Sequence, residues 1–220
     1  MKGIAITGRK GGIGKTSIAH LLALGAAWQG IPAYLMHTDN RAPLKVNGRP
    51  YMYYDARKPE TLETLIGAAL NNDGFCIIDS GGNRSEFDKW IARTVDLVVI
   101  PVTPDPEDVQ EALAHMAALE DSGAENVRFI VNKYPAHKNE RLFVARYFAQ
   151  LPENKIISRL AEIKAIRLLR ESDVQEFQTP PSKVNNLARQ LFFDVKVALE
   201  SIGEEKGEVQ KTAQYDDMKV

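Results

Sequence analysis

Gly3-Ile4-Ala5-Ile6-Thr7-Gly8-Arg9-Lys10-Gly11-Gly12-Ile13-Gly14-Lys15-Thr16-Ser17 runs from a short apolar strand pattern, through clustered glycines, into the start of an amphipathic helix. A strand that turns through glycine into a helix N-terminus is a setting for phosphate. Glycines let backbone N–H groups converge on phosphate oxygens, and the helix start adds partial positive charge. Lys15 adds a full charge, and the Thr16 hydroxyl can ligate Mg²⁺. The strict spacing Gly-x4-Gly-Lys-Ser/Thr is not met, because Arg9 stands where its first glycine belongs and Gly8 is one place early. What stands instead is Lys-Gly-Gly-x-Gly-Lys-Thr over residues 10–16. A glycine-rich hairpin turn is the competing reading.

Outward from this loop, short apolar runs alternate with helical patterns as far as Ile202, the signature of βαβ units and a parallel sheet. Strands are predicted at Ile4–Thr7, Ala33–Met36, Tyr51–Tyr54, Phe75–Ile78, Leu97–Val102, Phe129–Asn132 and Lys155–Ile157. Several are apolar at successive positions, as strands covered on both faces must be. Helices are predicted at Lys15–Gln29, Thr61–Leu70, Ser85–Thr94, Pro106–Asp121, Glu140–Leu151 and Ala161–Glu171. A last one, about Ser182–Ile202, follows Pro180-Pro181 and stops at Gly203. The expected fold is a single-domain α/β P-loop NTPase over 1–202, with a mostly parallel sheet of about seven strands and helices on both faces. Residues 203–220 are polar and short of apolar periodicity, which predicts a disordered tail.

Composition agrees with a folded domain: 44% of residues are hydrophobic and 26% charged. No run of about 18 apolar residues exists, and Met1-Lys2-Gly3 leads directly into a strand pattern, so the expected location is the cytoplasm. The single cysteine, Cys76, lies in an apolar run and reads as a buried thiol. The net charge of −1 is unevenly spread: residues 133–196 carry twelve Lys/Arg against seven Asp/Glu, whereas 51–132 carry six against fifteen. The four histidines have no metal-ligand spacing.

Lys10-Gly11-Gly12-Ile13-Gly14-Lys15-Thr16 resembles the deviant Walker loop of the ParA/MinD family of ATPases. The resemblance implies that residues 10–16 and Ser17 bind the phosphates of ATP, and that Lys10 reaches across an ATP-dependent homodimer to the partner's phosphates. A cation delivered in trans stabilises charge that develops during phosphoryl transfer. In Leu35-Met36-His37-Thr38-Asp39 the family usually has two aspartates one residue apart; His37 takes the first place and Asp39 the second, the family's water-positioning catalytic carboxylate. Asp39 as an ordinary turn cap is the alternative. Phe75-Cys76-Ile77-Ile78-Asp79 resembles a Walker B strand, with Asp79 accepting from Mg²⁺-bound water, or alternatively a plain turn. The implied metal set is thus Thr16, Asp39 and Asp79, with Lys10, Lys15 and Asp39 catalytic.

Asn132, at the end of Phe129-Ile130-Val131, resembles the family's adenine-reading residue, since an amide donates to and accepts from a base edge at once. An ordinary strand-end asparagine is the alternative. The guanine pattern Asn-Lys-x-Asp would need an acid where Pro135 stands, which favours ATP over GTP. Pro181 falls where the family has a base-flanking loop.

Within the family, the cluster-carrying branch needs paired cysteines, and Cys76 alone cannot supply them. The membrane-bound MinD branch ends in a basic amphipathic helix, whereas this chain ends in acidic Gly203-Glu204-Glu205 and Asp216-Asp217. Acidic residues are repelled by anionic lipid, so no membrane partner is expected. The small ParA type remains: an ATP dimer that binds nonspecific DNA, associates with the nucleoid, and partitions a plasmid or positions cargo with a ParB-like or adaptor activator. Arg159, Lys164, Arg167, Arg170, Lys183, Arg189 and Lys196 are its candidate phosphate contacts on DNA. A solvated, ion-paired helix face explains the same residues. An accessory ATPase of conjugative DNA transfer and a metabolic ATP-dependent ligase of the same fold stay open as alternatives.

Overall fold

The alternation in each core strand sends its side chains to two different apolar layers, and this determines how the helices must lie. In the computed structural model, residues 1–81, 85–171 and 174–217 are described. Seven strands form one all-parallel sheet: β1 Lys2–Ile6, β2 Ala33–His37, β3 Met52–Asp55, β4 Phe75–Asp79, β5 Leu97–Val102, β6 Val127–Tyr134 and β7 Ile156–Ala161. Ile4, Ile6, Leu35, Ile77 and Val99 pack on one face with the helices α1 Lys15–Ala27 and α6 Ser182–Asp217. Their neighbours Ala5, Met36, Cys76 and Ile78 face Leu62 of α2, Pro59–Leu70, and Ile91 of α3, Ser85–Thr94. Val98, Ile100, Val102, Phe129 and Val131 face α4, Pro106–Asp121, and α5, Lys138–Phe148. All seven expected strands are present, and the fold is the expected single α/β domain. No helix among the described residues is long and apolar enough to cross a membrane.

The strand order is β3-β2-β4-β1-β5-β6-β7. From β1 the chain crosses to β2 and the edge strand β3, returns to β4 between β2 and β1, and then passes to β5 on the far side, so connections leave in opposite directions around β1. In open parallel sheets, ligands bind beyond the carboxyl ends of the strands at such a divergence. The glycine loop lies there.

Helix α1 is buried almost all round, from Ile18 to Ala26, because the sheet covers one side and α6 the other. Gly25 makes that sandwich possible: an added methyl would run into the Ala188 carbonyl oxygen and stand 2.7 Å from Phe192 Cβ. Gly25→Ala is therefore expected to force the two helices apart and lower stability by about 2 kcal/mol. Thermal unfolding should show a drop of roughly 5 °C.

Two expectations are corrected. The helix placed at Ala161–Glu171 is a strand end followed by a 3-10 turn: β7 continues to Ala161 and only Lys164–Arg170 winds. Pairing of Ile130 and Val131 with Ser158 and Arg159 holds this stretch extended, and Ile166 and Leu169, three apart, give the turn its buried side. The last helix does not stop at Gly203 but runs on to Asp217. Gly203 is not in the left-handed conformation a glycine stop needs, and one interior glycine costs a helix only about 1 kcal/mol. Within the stretch 203–220 expected to be a disordered tail, helical backbone is described as far as Asp217, and residues 218–220 lie outside the described residues. Among the described side chains of α6, Ile202 is the last in the apolar core.

Candidate functional site

The loop between β1 and α1 is held open by two left-handed glycines, Gly12 at φ 80° and Gly14 at φ 106°. Gly14 is the N-cap of α1 and offers no side chain to its N–H groups, which stay available to a ligand. The loop is pinned through its carbonyl oxygens. Asn132 Nδ2 donates to Ile13 O at 2.8 Å, Lys133 Nζ to Gly12 O at 3.4 Å, and Lys15 Nζ to Lys10 O at 3.0 Å. Ile13 is buried beneath Gly8, where a Cβ would stand 2.6 Å from its Cδ1. Burial lowers the Lys15 pKa, against the opposing pull of the Asp79 and Asp39 carboxylates.

Parallel pairing of β2 with β4 sets His37 opposite Asp79. Both are buried, with His37 Nδ1 3.8 Å from Asp79 Oδ2 and Nε2 3.0 Å from the Arg41 carbonyl oxygen. Burial alone would lower the imidazole pKa, but the Asp79 carboxylate and the Arg41 carbonyl outweigh it and raise it. Asp79 Oδ1 is buried with no hydrogen-bond partner among the described residues. Two residues beyond β2, both Asp39 oxygens are taken by residue 41. Arg41 Nε and Nη2 donate to Oδ2 at 2.9 and 2.6 Å, and its backbone N–H donates to Oδ1 at 3.2 Å. Burial works to raise the Asp39 pKa, and these bonds to Arg41 hold it below the usual carboxylate value.

Behind the loop, a chain of buried polar groups crosses from α4 to α3. Thr7 Oγ1 lies 3.2 Å from His115 Nε2, while Ser80 Oγ stands 3.2 Å from Thr7 Oγ1 and donates to Asp88 Oδ1 at 2.8 Å. Burial, with Arg9 and Lys15 nearby, pushes the His115 pKa down to about 4. A histidine kept neutral in the fold binds fewer protons than the unfolded chain below about pH 6.5, so its contribution to stability falls with acid. The unfolding free energy is expected to decline between pH 6.5 and about 4, with a shallower slope in His115→Gln; denaturant titrations at several pH values read this directly.

One cleft, of about 420 Å³, gathers Gly11, Gly12, Gly14, Lys15, Thr16, Ser17, Asp39 and Asn132 from the sequence reading. It also contains Arg41, Lys133 and Arg170, so four cations face a single carboxylate there. Arg41 and Lys133 stand within two residues of flagged positions, and their charge is the only signal the sequence offered. Arg170, expected on DNA, lines this cleft because the 3-10 turn packs against α1 through Ile166 and Leu169. Asn132, expected to read a base, donates one amide N–H to the loop at the Ile13 carbonyl. Pro181 is absent from the cleft lining; it starts α6, its carbonyl accepting from Val184 N–H at 2.8 Å. Lys10 lies to the side, its ammonium paired with Asp108 and 3.7 Å from Glu107 Oε2, and the hydrogen bond it donates to Asp108 leads the causes that raise its pKa. Asp79, at the end of β4, is buried and absent from the cleft lining, but near enough for its charge to act on Lys15. Arg159 pairs with Glu153, and Lys164, Arg167, Lys183, Arg189 and Lys196 are exposed.

Among the described residues no cluster of three or more His, Cys, Asp or Glu could cage a metal. Mg²⁺ does not require one, since it takes one or two protein oxygens and completes its shell with water and phosphate. The Thr16 hydroxyl, Asp39 and the unpartnered Asp79 oxygen fit that donor set.

No protein-family model matches the chain, and no curated protein sequence does. Solved structures do match. The MinD cell division protein of Aquifex aeolicus aligns at 20% identity over 87% of this chain and 97% of its own, with a TM-score of 0.65. A putative plasmid partition protein from Borrelia burgdorferi bound to AMPPNP aligns at 14% identity over 87% and 98%, with a TM-score of 0.62. The septum site-determining protein MinD of Pyrococcus horikoshii, complexed with Mg-ADP, aligns at 14% identity over 94% and 97%, with a TM-score of 0.62. At these identities the likeness is one of fold, and it spans nearly the whole length of each neighbour. The chain has the fold of the MinD and plasmid-partition proteins.

Proposed function

We propose that this chain is a Mg²⁺-dependent ATPase of the ParA type, which dimerises on ATP, binds nonspecific DNA in the cytoplasm, and partitions a plasmid or positions cargo. The observation that carries the reading is the cleft in which Gly12, Gly14, Lys15 and Thr16 meet Asp39, with Asp79 Oδ1 buried and without a hydrogen-bond partner among the described residues at the end of the neighbouring strand β4. The nucleotides bound by the Borrelia and Pyrococcus neighbours support the choice of ligand.

In this reading the loop N–H groups and Lys15 hold the phosphates, and Thr16, Asp39 and Asp79 hold Mg²⁺ directly or through water. The metal, when bound, neutralises charge on the phosphate oxygens. Asp39 orients the attacking water and accepts its proton. Lys10 leaves Asp108 and reaches the phosphates of a second protomer, which couples dimerisation to turnover. Exposed Lys164, Arg167, Lys183 and Arg189 supply phosphate contacts that read no sequence. A ParB-like or adaptor protein serves as activator.

Sedimentation of wild type and Lys10→Ala with ATP, with and without duplex DNA, tests this. An ATP-dependent dimer that binds DNA in the wild type and is lost on substitution is expected. A monomer whose mobility neither ATP nor DNA changes would contradict the reading and favour a ligase of the same fold.

A further inference from the structure

Thr16 and Asp39, read above as metal ligands, already share a cation that belongs to the chain. Arg41 Nη2 donates to Asp39 Oδ2 at 2.6 Å and stands 3.4 Å from Thr16 Oγ1. Its Nε and backbone N–H complete a three-bond grip on the carboxylate, at 2.9 and 3.2 Å. The guanidinium thus bridges the hydroxyl and the carboxylate between which a metal would be seated. Charge-assisted bonds of this kind are among the stronger hydrogen bonds, and a second cation entering beside them is repelled. The Arg41 side chain is 66% exposed, so no packing locks it in place, and it lines the cleft in which phosphates would lie. A planar guanidinium suits phosphate oxygens as well as it suits a carboxylate, which gives the displaced group a destination. His37 holds the base of this arrangement by its contact with the Arg41 carbonyl, 3.0 Å away.

We propose that Arg41 is an internal counter-cation of the metal seat: it occupies the space between Thr16 and Asp39 and competes with the divalent metal for the Asp39 carboxylate. The proposal rests on the assignment of Thr16 and Asp39 as metal ligands. Removing Arg41 should tighten metal binding, the reverse of the effect expected if it merely supported the loop.

Mn²⁺, titrated by electron paramagnetic resonance into protein saturated with a non-hydrolysable ATP analogue, tests this without any turnover. Arg41→Ala is expected to bind Mn²⁺ about tenfold more tightly than wild type, with Arg41→Lys between the two because it keeps the charge and loses the fork. Thr16→Ala should abolish the gain in the Arg41→Ala background. Unchanged or weaker Mn²⁺ binding in Arg41→Ala, while Thr16→Ala still weakens it in the wild type, overturns the role of Arg41 and leaves the metal seat standing. Mn²⁺ binding that ignores Thr16→Ala in both backgrounds removes the seat, and the proposal with it.

Discussion

Gly14→Ala is expected to reduce nucleotide affinity by at least about a hundredfold, a loss equivalent to about 2.7 kcal/mol. Two separate strains act on the added methyl. Gly14 lies at φ 106°, where an L-residue pays about 1–2 kcal/mol. The new Cβ would also overlap Asn132 Nδ2 and stand 3.2 Å from its Cγ, breaking the bond by which Asn132 holds the Ile13 carbonyl. Relief of either strain moves the loop away from the N-terminus of α1. Titration with a fluorescent ATP analogue measures the loss. Pairing the change with Asn132→Ala separates the causes, since the double variant keeps the backbone strain and loses the overlap. Partial recovery is expected, and full recovery would mean that the left-handed glycine contributes nothing.

Asp39→Asn is expected to leave nucleotide binding within a few-fold of wild type and to slow hydrolysis by about 10² to 10⁴, the range for removing a positioned proton acceptor. The amide preserves shape and removes the charge, so the Arg41 fork weakens while the backbone of the turn keeps its course. Steady-state phosphate release under saturating ATP reads the effect. Hydrolysis at the wild-type rate would leave Asp39 as no more than the anchor of Arg41.

How much of this was legible in the sequence depends on how local each feature is. The β1-loop-α1 unit was readable because apolar alternation, glycine spacing and a helix pattern adjoin one another in fifteen residues, Gly3 to Ser17. Asp39, Asp79 and Asn132 were flagged by resemblance, and they fall near the loop because parallel strands bring their carboxyl ends to one side. The detail of their partners was not readable. Asn132 looked free to read a base, yet the site where its amide lands is the Ile13 carbonyl, 119 positions away. Lys10 carries no sign in its own neighbourhood of Asp108, which α4 delivers from across the sheet. Arg170 stood out only as positive charge, and its place in the cleft follows from the packing of a 3-10 turn that helical periodicity had misassigned. Gly203 looked like a stop because glycine so often ends helices, but the cost of one interior glycine is small enough for α6 to run through it.

The central claim is that the cleft beyond β1, β2 and β4 is a Mg-ATP site centred on Lys15. Equilibrium binding of ATP and GTP to wild type and Lys15→Ala, by calorimetry with Mg²⁺ present, tests it most directly. ATP bound at one site per chain, preferred over GTP and weakened at least about a hundredfold by the substitution, is the result this account requires. Wild-type protein that binds neither nucleotide, or binds ATP equally well without the Lys15 ammonium, would contradict it.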